Sequence, residues 1–252
     1  MSGPPGAADG ENPTAVPAVE AVPVVIPSVM IDAGHGGVDG GTPAGGWIEK
    51  EWTLKVALAL AEELRCRGHV VALTRTGDET VPLAERPDLV NSAPRTAVIS
   101  IHFNAGAADA RGIETWYSWP KRPEVMEQLT AAAGLRPDES LPDEGSALAS
   151  AIQSSLCGKT GARDRGTKNR VDLALTSRCL CPAVIVECGF LSNPEEGRLI
   201  REESYRARLV RGISDGYETW LLNRSSKSAG DIPVVQPPLR NAEKPEDSGA
   251  EH

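Results

Sequence analysis

The chain has 252 residues, 40% hydrophobic and 24% charged, with 26 Lys and Arg against 35 Asp and Glu and a net charge of −9. This composition is near the globular average and excludes a wholly disordered chain. The acidic balance gives no general electrostatic reason to wrap nucleic acid or lie on an anionic membrane. No apolar run reaches the roughly 18 residues of a membrane-spanning helix.

The ends differ from the middle. Residues 1–27 are rich in Pro, Ala and Val and contain no Lys or Arg, and residues 225–252 are polar with no apolar period. These two stretches hold eight acids against three bases, so they carry −5 of the charge. Both are expected to be solvated, disordered tails around one domain at 28–224. Residues 1–27 lack the basic start and continuous apolar stretch of a secretory signal, with Pro17, Pro23 and Pro27 breaking the one candidate. The export route is therefore open: unconventional export, a leader missing from this chain, or release by lysis.

In chain order, Val24–Ala33 reads as a buried strand running into a glycine-rich loop. Glu51–Arg67 is a helix with Leu54, Leu58, Ala61 and Leu64 on one face, closed by Gly68. His69–Arg75 is a second strand, Leu83–Asn91 a short helix set by Pro82, Thr96–Phe103 a third strand and Gly112–Trp119 a fourth. Lys121–Glu144 is a less regular insertion with a helical piece around Glu124–Ala133. Ser146–Leu156 is a helix, Val171–Thr176 a short strand, and Ala183–Glu187 a buried strand ending in a carboxylate. Helices at Glu195–Glu203 and Tyr205–Leu222 close the domain. Strands alternating with helices, several of them apolar throughout, predict an α/β fold: a mainly parallel sheet flanked by helices on both faces. In such sheets, sites collect at the carboxyl ends of strands.

Three strand ends carry polar residues suited to catalysis. His35 follows the first strand in Asp32-Ala-Gly-His-Gly-Gly37, His102 ends the third in Ser100-Ile-His-Phe-Asn-Ala105, and Glu187 ends the late strand in Val186-Glu-Cys-Gly-Phe190. Glu49 stands at the start of the first helix. Two imidazoles and a carboxylate are a common ligand set for catalytic zinc with an open position, and a second carboxylate can take a proton from water. Each residue alone also has a structural reading, Glu49 for instance as a helix-dipole partner. Glu187 is the hardest to explain structurally, because a buried carboxylate is costly unless paired or poised for proton transfer. His69 and His252 stand apart from the pattern.

The five cysteines, Cys66, Cys157, Cys179, Cys181 and Cys188, are odd in number and irregular in spacing, so no disulfide framework follows. Cys179, Cys181 and Cys188 offer thiolates for a metal site, but there is no CxxC pair, and small buried residues are the simpler reading.

From Val29 to Leu222 the chain resembles the amidase-3 family of zinc-dependent N-acetylmuramoyl-L-alanine amidases. The marks, in family order, are Ile-Asp-Ala-Gly-His-Gly-Gly from Ile31, Glu-Lys from Glu49, Leu-Thr-Arg from Leu73, and Leu83 with Arg86 and Asn91. Ser-Ile-His-Phe-Asn-Ala from Ser100, Gly-Ile-Glu-Thr from Gly112, Arg-Gly from Arg165 and Val-Glu-Cys-Gly-Phe-Leu-Ser-Asn from Val186 complete them. Each string is short; eight in order are specific.

The resemblance implies about six strands and six helices, one Zn2+ on His35, Glu49 and His102, and Glu187 as the catalytic carboxylate. It implies peptidoglycan as substrate, cut at the amide between N-acetylmuramic acid and L-alanine, and hence a cell-wall, periplasmic or extracellular site of action. Asn104 and Arg165 are candidate substrate-binding residues, Asn104 alternatively a turn former and Arg165, with Lys168, alternatively part of an exposed loop. Arg75 and Arg86 are expected in salt bridges, and Glu114 as a supporting carboxylate. The enzyme is expected to act as a monomer. Some relatives carry an inhibitory helix in this part of the chain; if the 121–144 insertion held one, Glu124 or Glu127 would lie near the metal and an activator protein would be needed. The competing expectation is a surface excursion. Two other functions remain: a different zinc amide or peptide hydrolase on the same scaffold, and a catalytically silent peptidoglycan-binding module.

Overall fold

The computed structural model describes residues 28–43, 46–134 and 143–227. Both expected tails, except for residues 225–227, lie outside the described residues, as do Val24–Pro27 of the first predicted strand and His252.

Six strands form one sheet: β1 (Ser28–Ala33), β2 (Val70–Leu73), β3 (Ala97–Asn104), β4 (Ile113–Tyr117), β5 (Asp164–Asn169) and β6 (Ala183–Phe190). Their spatial order is β2-β1-β3-β6-β4-β5. β2, β1, β3 and β6 run parallel; β4 is antiparallel to β6 and parallel to β5. The helices are α1 (Glu49–Cys66), α2 (Arg86–Asn91), α3 (Pro123–Ala132), α4 (Glu144–Thr160), α5 (Ala174–Arg178), α6 (Pro194–Arg201) and α7 (Glu203–Lys227).

Side chains alternate along a strand, and here both faces are buried. Val29, Ile31, Ile99, Ile101, Val184 and Val186 pack under α1, α4, α6 and α7 in the larger core. Met30, Val98 and Ile185 face Val90 of α2, Leu175 of α5 and Cys179. Strands covered on both faces must be apolar throughout, and all eight residues of β6 are buried.

Several expectations change. α1 begins at Glu49, and its buried stripe is Trp52, Val56, Leu60 and Leu64, with Ala57 and Ala61. Leu58 is instead exposed and Leu54 only partly buried, because the stripe is the face turned toward α7 and the sheet, and these two leucines lie off it. The short helix starts at Arg86, after a turn at 83–85. Val171–Thr176 is not a strand: it turns and enters α5, whose Leu175 covers the smaller core. The strand is earlier, at β5, whose Asp-Arg-Gly-Thr-Lys-Asn carries no apolar signal because it is a sheet edge. α7 runs through Lys227, three residues into the expected tail.

The described first part of the insertion, residues 121–134, starts away from the metal-type residues. Glu114 of β4 pairs with Glu187 and Tyr117 with Val184, so β4 leads the chain toward the start of β6. There the Arg122 N–H donates to the Ser177 carbonyl and Lys121 Nζ to the Thr176 carbonyl, anchoring α3 beside α5. Glu124 and Glu127 on α3 therefore belong to the end of the sheet opposite His35 and His102. For α3 this favours the expected surface excursion over an approach of either residue to the metal; residues 135–142 lie outside the described residues.

Candidate metal and proton-transfer site

The loop after β1 is held by two buried arginines. Arg86 donates to the Asp32 carboxylate and to the carbonyls of Ala33 and His35. Arg75 donates to the carbonyls of Ala33, Gly34, Lys50 and Gly77. Thr74 and Ser100 also donate to Asp32, at 2.7 and 2.6 Å. Burial alone would raise the Asp32 carboxyl, but Arg86 and these hydroxyls hold it below the usual carboxylate range. The expected salt-bridge roles of Arg75 and Arg86 thus become one pair and a set of carbonyl contacts. They fix His35 in the left-handed region at φ 60°, a conformation that costs a non-glycine residue about 1 kcal/mol or more.

His35, Glu49 and His102 converge. Their potential ligand atoms lie within 4.8 Å of one another, the only such His/Cys/Asp/Glu group among the described residues. The Glu49 carboxylate sits between the imidazoles, 3.1 Å from His35 Nε2 and 3.2 Å from His102 Nδ1. His35 Nδ1 is 2.9 Å from Asp39 Oδ2, which orients the ring with Nε2 inward. The Phe103 N–H donates to Glu49 at 3.0 Å. A Cβ on Gly34 would lie 2.4 Å from the His102 ring, and one on Gly41 2.7 Å from Glu49, so the cradle closes only on glycine. Burial works against the Glu49 charge, yet the two imidazoles hold its carboxyl well below the usual range. Burial likewise lowers His35, but Glu49 and Asp39 outweigh it and raise the imidazole. Two nitrogens and an oxygen at this spacing fit a divalent metal of the zinc type.

Glu187 is the register partner of His102 on one side and of Glu114 on the other. It is 5% exposed, and its Oε2 is one of three buried side-chain polar atoms without a hydrogen-bond partner among the described residues. Burial, then the charges of Glu49 and Glu114, push its carboxyl well above the ordinary value, against the opposing pull of Lys168. A buried carboxyl with a free oxygen beside a metal-type cluster is placed for proton transfer.

Asn104 Nδ2 donates to Glu114 at 3.1 Å rather than pointing freely into the site. Arg165 and Lys168 lie on β5, not in an exposed loop, and both reach Glu114. Burial would raise Glu114, but Lys168, Arg165 and Asn104 hold it below the usual range. Sequence reasoning overlooked Glu196, which is buried and accepts the N–H groups of Gly112 (2.8 Å) and Phe190 (2.7 Å). It ties the start of β4 to the end of β6. The Asn193-Pro194 helix start just before it was the available signal. The cysteines are free thiols, and Cys179, Cys181 and Cys188 form no metal-type group.

Fold and site together define an α/β protein with a two-histidine, one-carboxylate cluster beside a buried carboxyl that has no partner at Oε2. Residues 29–219 match the amidase-3 family, N-acetylmuramoyl-L-alanine amidase, and the chain belongs to it. The Bacillus phage SPP1 endolysin is 32% identical over 206 residues, 81% of this chain and 69% of that protein. The N-acetylmuramoyl-L-alanine amidase LytC of Bacillus subtilis is 30% identical over 195 residues, 77% of this chain but 35% of LytC. The crystal structure of N-acetylmuramoyl-L-alanine amidase from Clostridium difficile 630 superposes with a TM-score of 0.68 at 31% identity, covering 79% of this chain and 98% of that one. The enzyme is a peptidoglycan hydrolase that cleaves the amide between N-acetylmuramic acid and L-alanine.

Proposed function

We propose that His35, Glu49 and His102 hold one zinc ion, and that Glu187 moves the proton of the amide hydrolysis. The observation that carries this reading is the placement of Glu187: buried, without a partner at Oε2, and paired in register with His102. The chemistry that zinc supplies when bound is polarisation of an amide carbonyl and acidification of water, to a pKa of about 7. Glu187 takes the proton of the attacking water and returns it to the departing L-alanine amine. An amine is a poor leaving group until protonated, so the proton that Glu187 has taken from water is the one the departing amine needs. Asp39 keeps His35 in the ligating orientation, and Arg75 and Arg86 keep the loop from relaxing.

Asn104 acts by holding Glu114, and Arg165 contacts substrate. The substrate places the site of action in the wall, the periplasm or the extracellular space. Among the described residues no helix is long and apolar enough to cross a membrane.

The test is digestion of purified peptidoglycan with and without chelator, followed by mass analysis. Release of intact stem peptides with a free L-alanine amine, lost on chelation and restored by zinc, is expected. Cleavage at another bond, or activity indifferent to chelator, would overturn the reading.

A further inference from the structure

The edge of the sheet beside Glu187 carries a cation pair that zinc chemistry does not use. Glu114 is buried, with its side chain 4% exposed, and accepts from Arg165 Nε at 2.8 Å and from Lys168 Nζ. Asn104 and Trp116 Nε1 also donate to it, each at 3.1 Å. One carboxylate therefore faces two cations, which leaves one positive charge over. The surplus is accessible, because the Arg165 side chain is 30% and that of Lys168 41% exposed. Nearby Arg111 is matched by Glu195 at 3.8 Å. Arg165 spends Nε on Glu114, while its Nη1 makes only a 3.5 Å contact with the Arg111 carbonyl. Its guanidinium is further fixed over the Phe190 ring, 4.9 Å from the centroid, at the end of β6. Glu114 and Glu187 are register partners, so the pair on β5 stands across β4 from the proton-transfer carboxyl on β6, two strands over.

We propose that Arg165 and Lys168, positioned by Glu114, bind the first free carboxylate of the stem peptide after L-alanine. This rests on the amidase reading above. In the bond to be cut, the lactyl carboxyl is consumed in the amide, and N-acetylmuramic acid carries no other carboxylate. A substrate carboxylate therefore lies on the leaving-amine side, and a cation pair near Glu187 holds that amine toward its proton donor. Arginine and lysine meeting a carboxylate form charge-assisted hydrogen bonds, and a site built for such a group rejects an analogue that lacks it.

The experiment uses the zinc-loaded enzyme and two synthetic muropeptides. They are identical except that the carboxyl of the residue after L-alanine is free in one and a carboxamide in the other. Wild type is expected to prefer the free acid by about tenfold in kcat/KM, mostly through KM. Arg165→Met and Lys168→Met are expected to bring that ratio within about twofold while keeping zinc content and the mass of the products. Equal kcat/KM for both muropeptides in wild type would overturn the inference and leave the amidase reading standing. An unchanged preference in both variants would also overturn it. Failure to cut either muropeptide would overturn the amidase reading, and the inference with it. Because wild type alone decides the first comparison, a variant that fails to fold does not remove the test.

Discussion

The two halves of the sheet place their polar residues differently. In the parallel half, β2, β1, β3 and β6, strands are mostly apolar; His102 and Glu187 lie in the second half of β3 and β6, His35 in the loop after β1, and Glu49 on the helix that follows. In the β4–β5 edge the polar groups lie within the strands: Glu114, Thr115, Arg165 and Lys168. A strand covered on both faces carries a carboxyl only where a partner or a chemical task holds it, as Arg86 holds Asp32, whereas an edge strand can carry charge along its length and is protected by it from pairing with other chains. The parallel half thus gathers the metal-type cluster and Glu187, and on the reading proposed above the edge supplies charge for recognition.

Substitutions should separate the halves. The largest effect is expected from His35→Ala or His102→Ala. Each should lose zinc on dialysis and several kcal/mol of transition-state stabilisation, about 10³-fold in turnover. Full metal content in either variant, read by metal analysis, would break the assignment of chemistry to the parallel half.

Next is Arg86→Leu, which strands the buried Asp32 carboxylate and should cost about 3–5 kcal/mol in urea unfolding. The folded Asp32 pKa lies below its usual 3.8, so its contribution is present above that value and is lost as pH falls through the folded pKa. The variant should therefore show a shallower acid limb in its stability profile. A smaller effect is expected for Asp39→Asn, which weakens the orientation of His35: zinc affinity should fall about 10–100-fold by competition with a chelating dye, with the fold retained. Smallest of all, Glu124→Ala with Glu127→Ala should leave muropeptide turnover within about twofold of wild type, because α3 sits at the far end of the sheet. A large rise would bring back an inhibitory insertion.

The same contrast explains what could be read from the sequence. His35, His102 and Glu187 were legible because each interrupts or ends an apolar run, and Glu49 because it opens a helix beside them. β5 was illegible because a solvent-facing edge strand of Asp-Arg-Gly-Thr-Lys-Asn looks like a loop, and its neighbour Val171–Thr176 drew the strand assignment through its β-branched Val and Thr. Asn104 was noticed, but its engagement with Glu114 depends on the antiparallel register of β4, which residue spacing does not carry. Glu196 was hidden for the same reason: its two partners, Gly112 and Phe190, lie 84 and 6 residues away and meet only when β4 joins β6.

The central claim is that metal binding and proton transfer are separate tasks on adjacent strands. Glu187→Gln, assayed for zinc content and muropeptide turnover on one preparation, tests it most directly. The account predicts one zinc per chain, as in wild type, with turnover reduced by at least about 10²-fold. Turnover near the wild-type value in the zinc-loaded variant would contradict it.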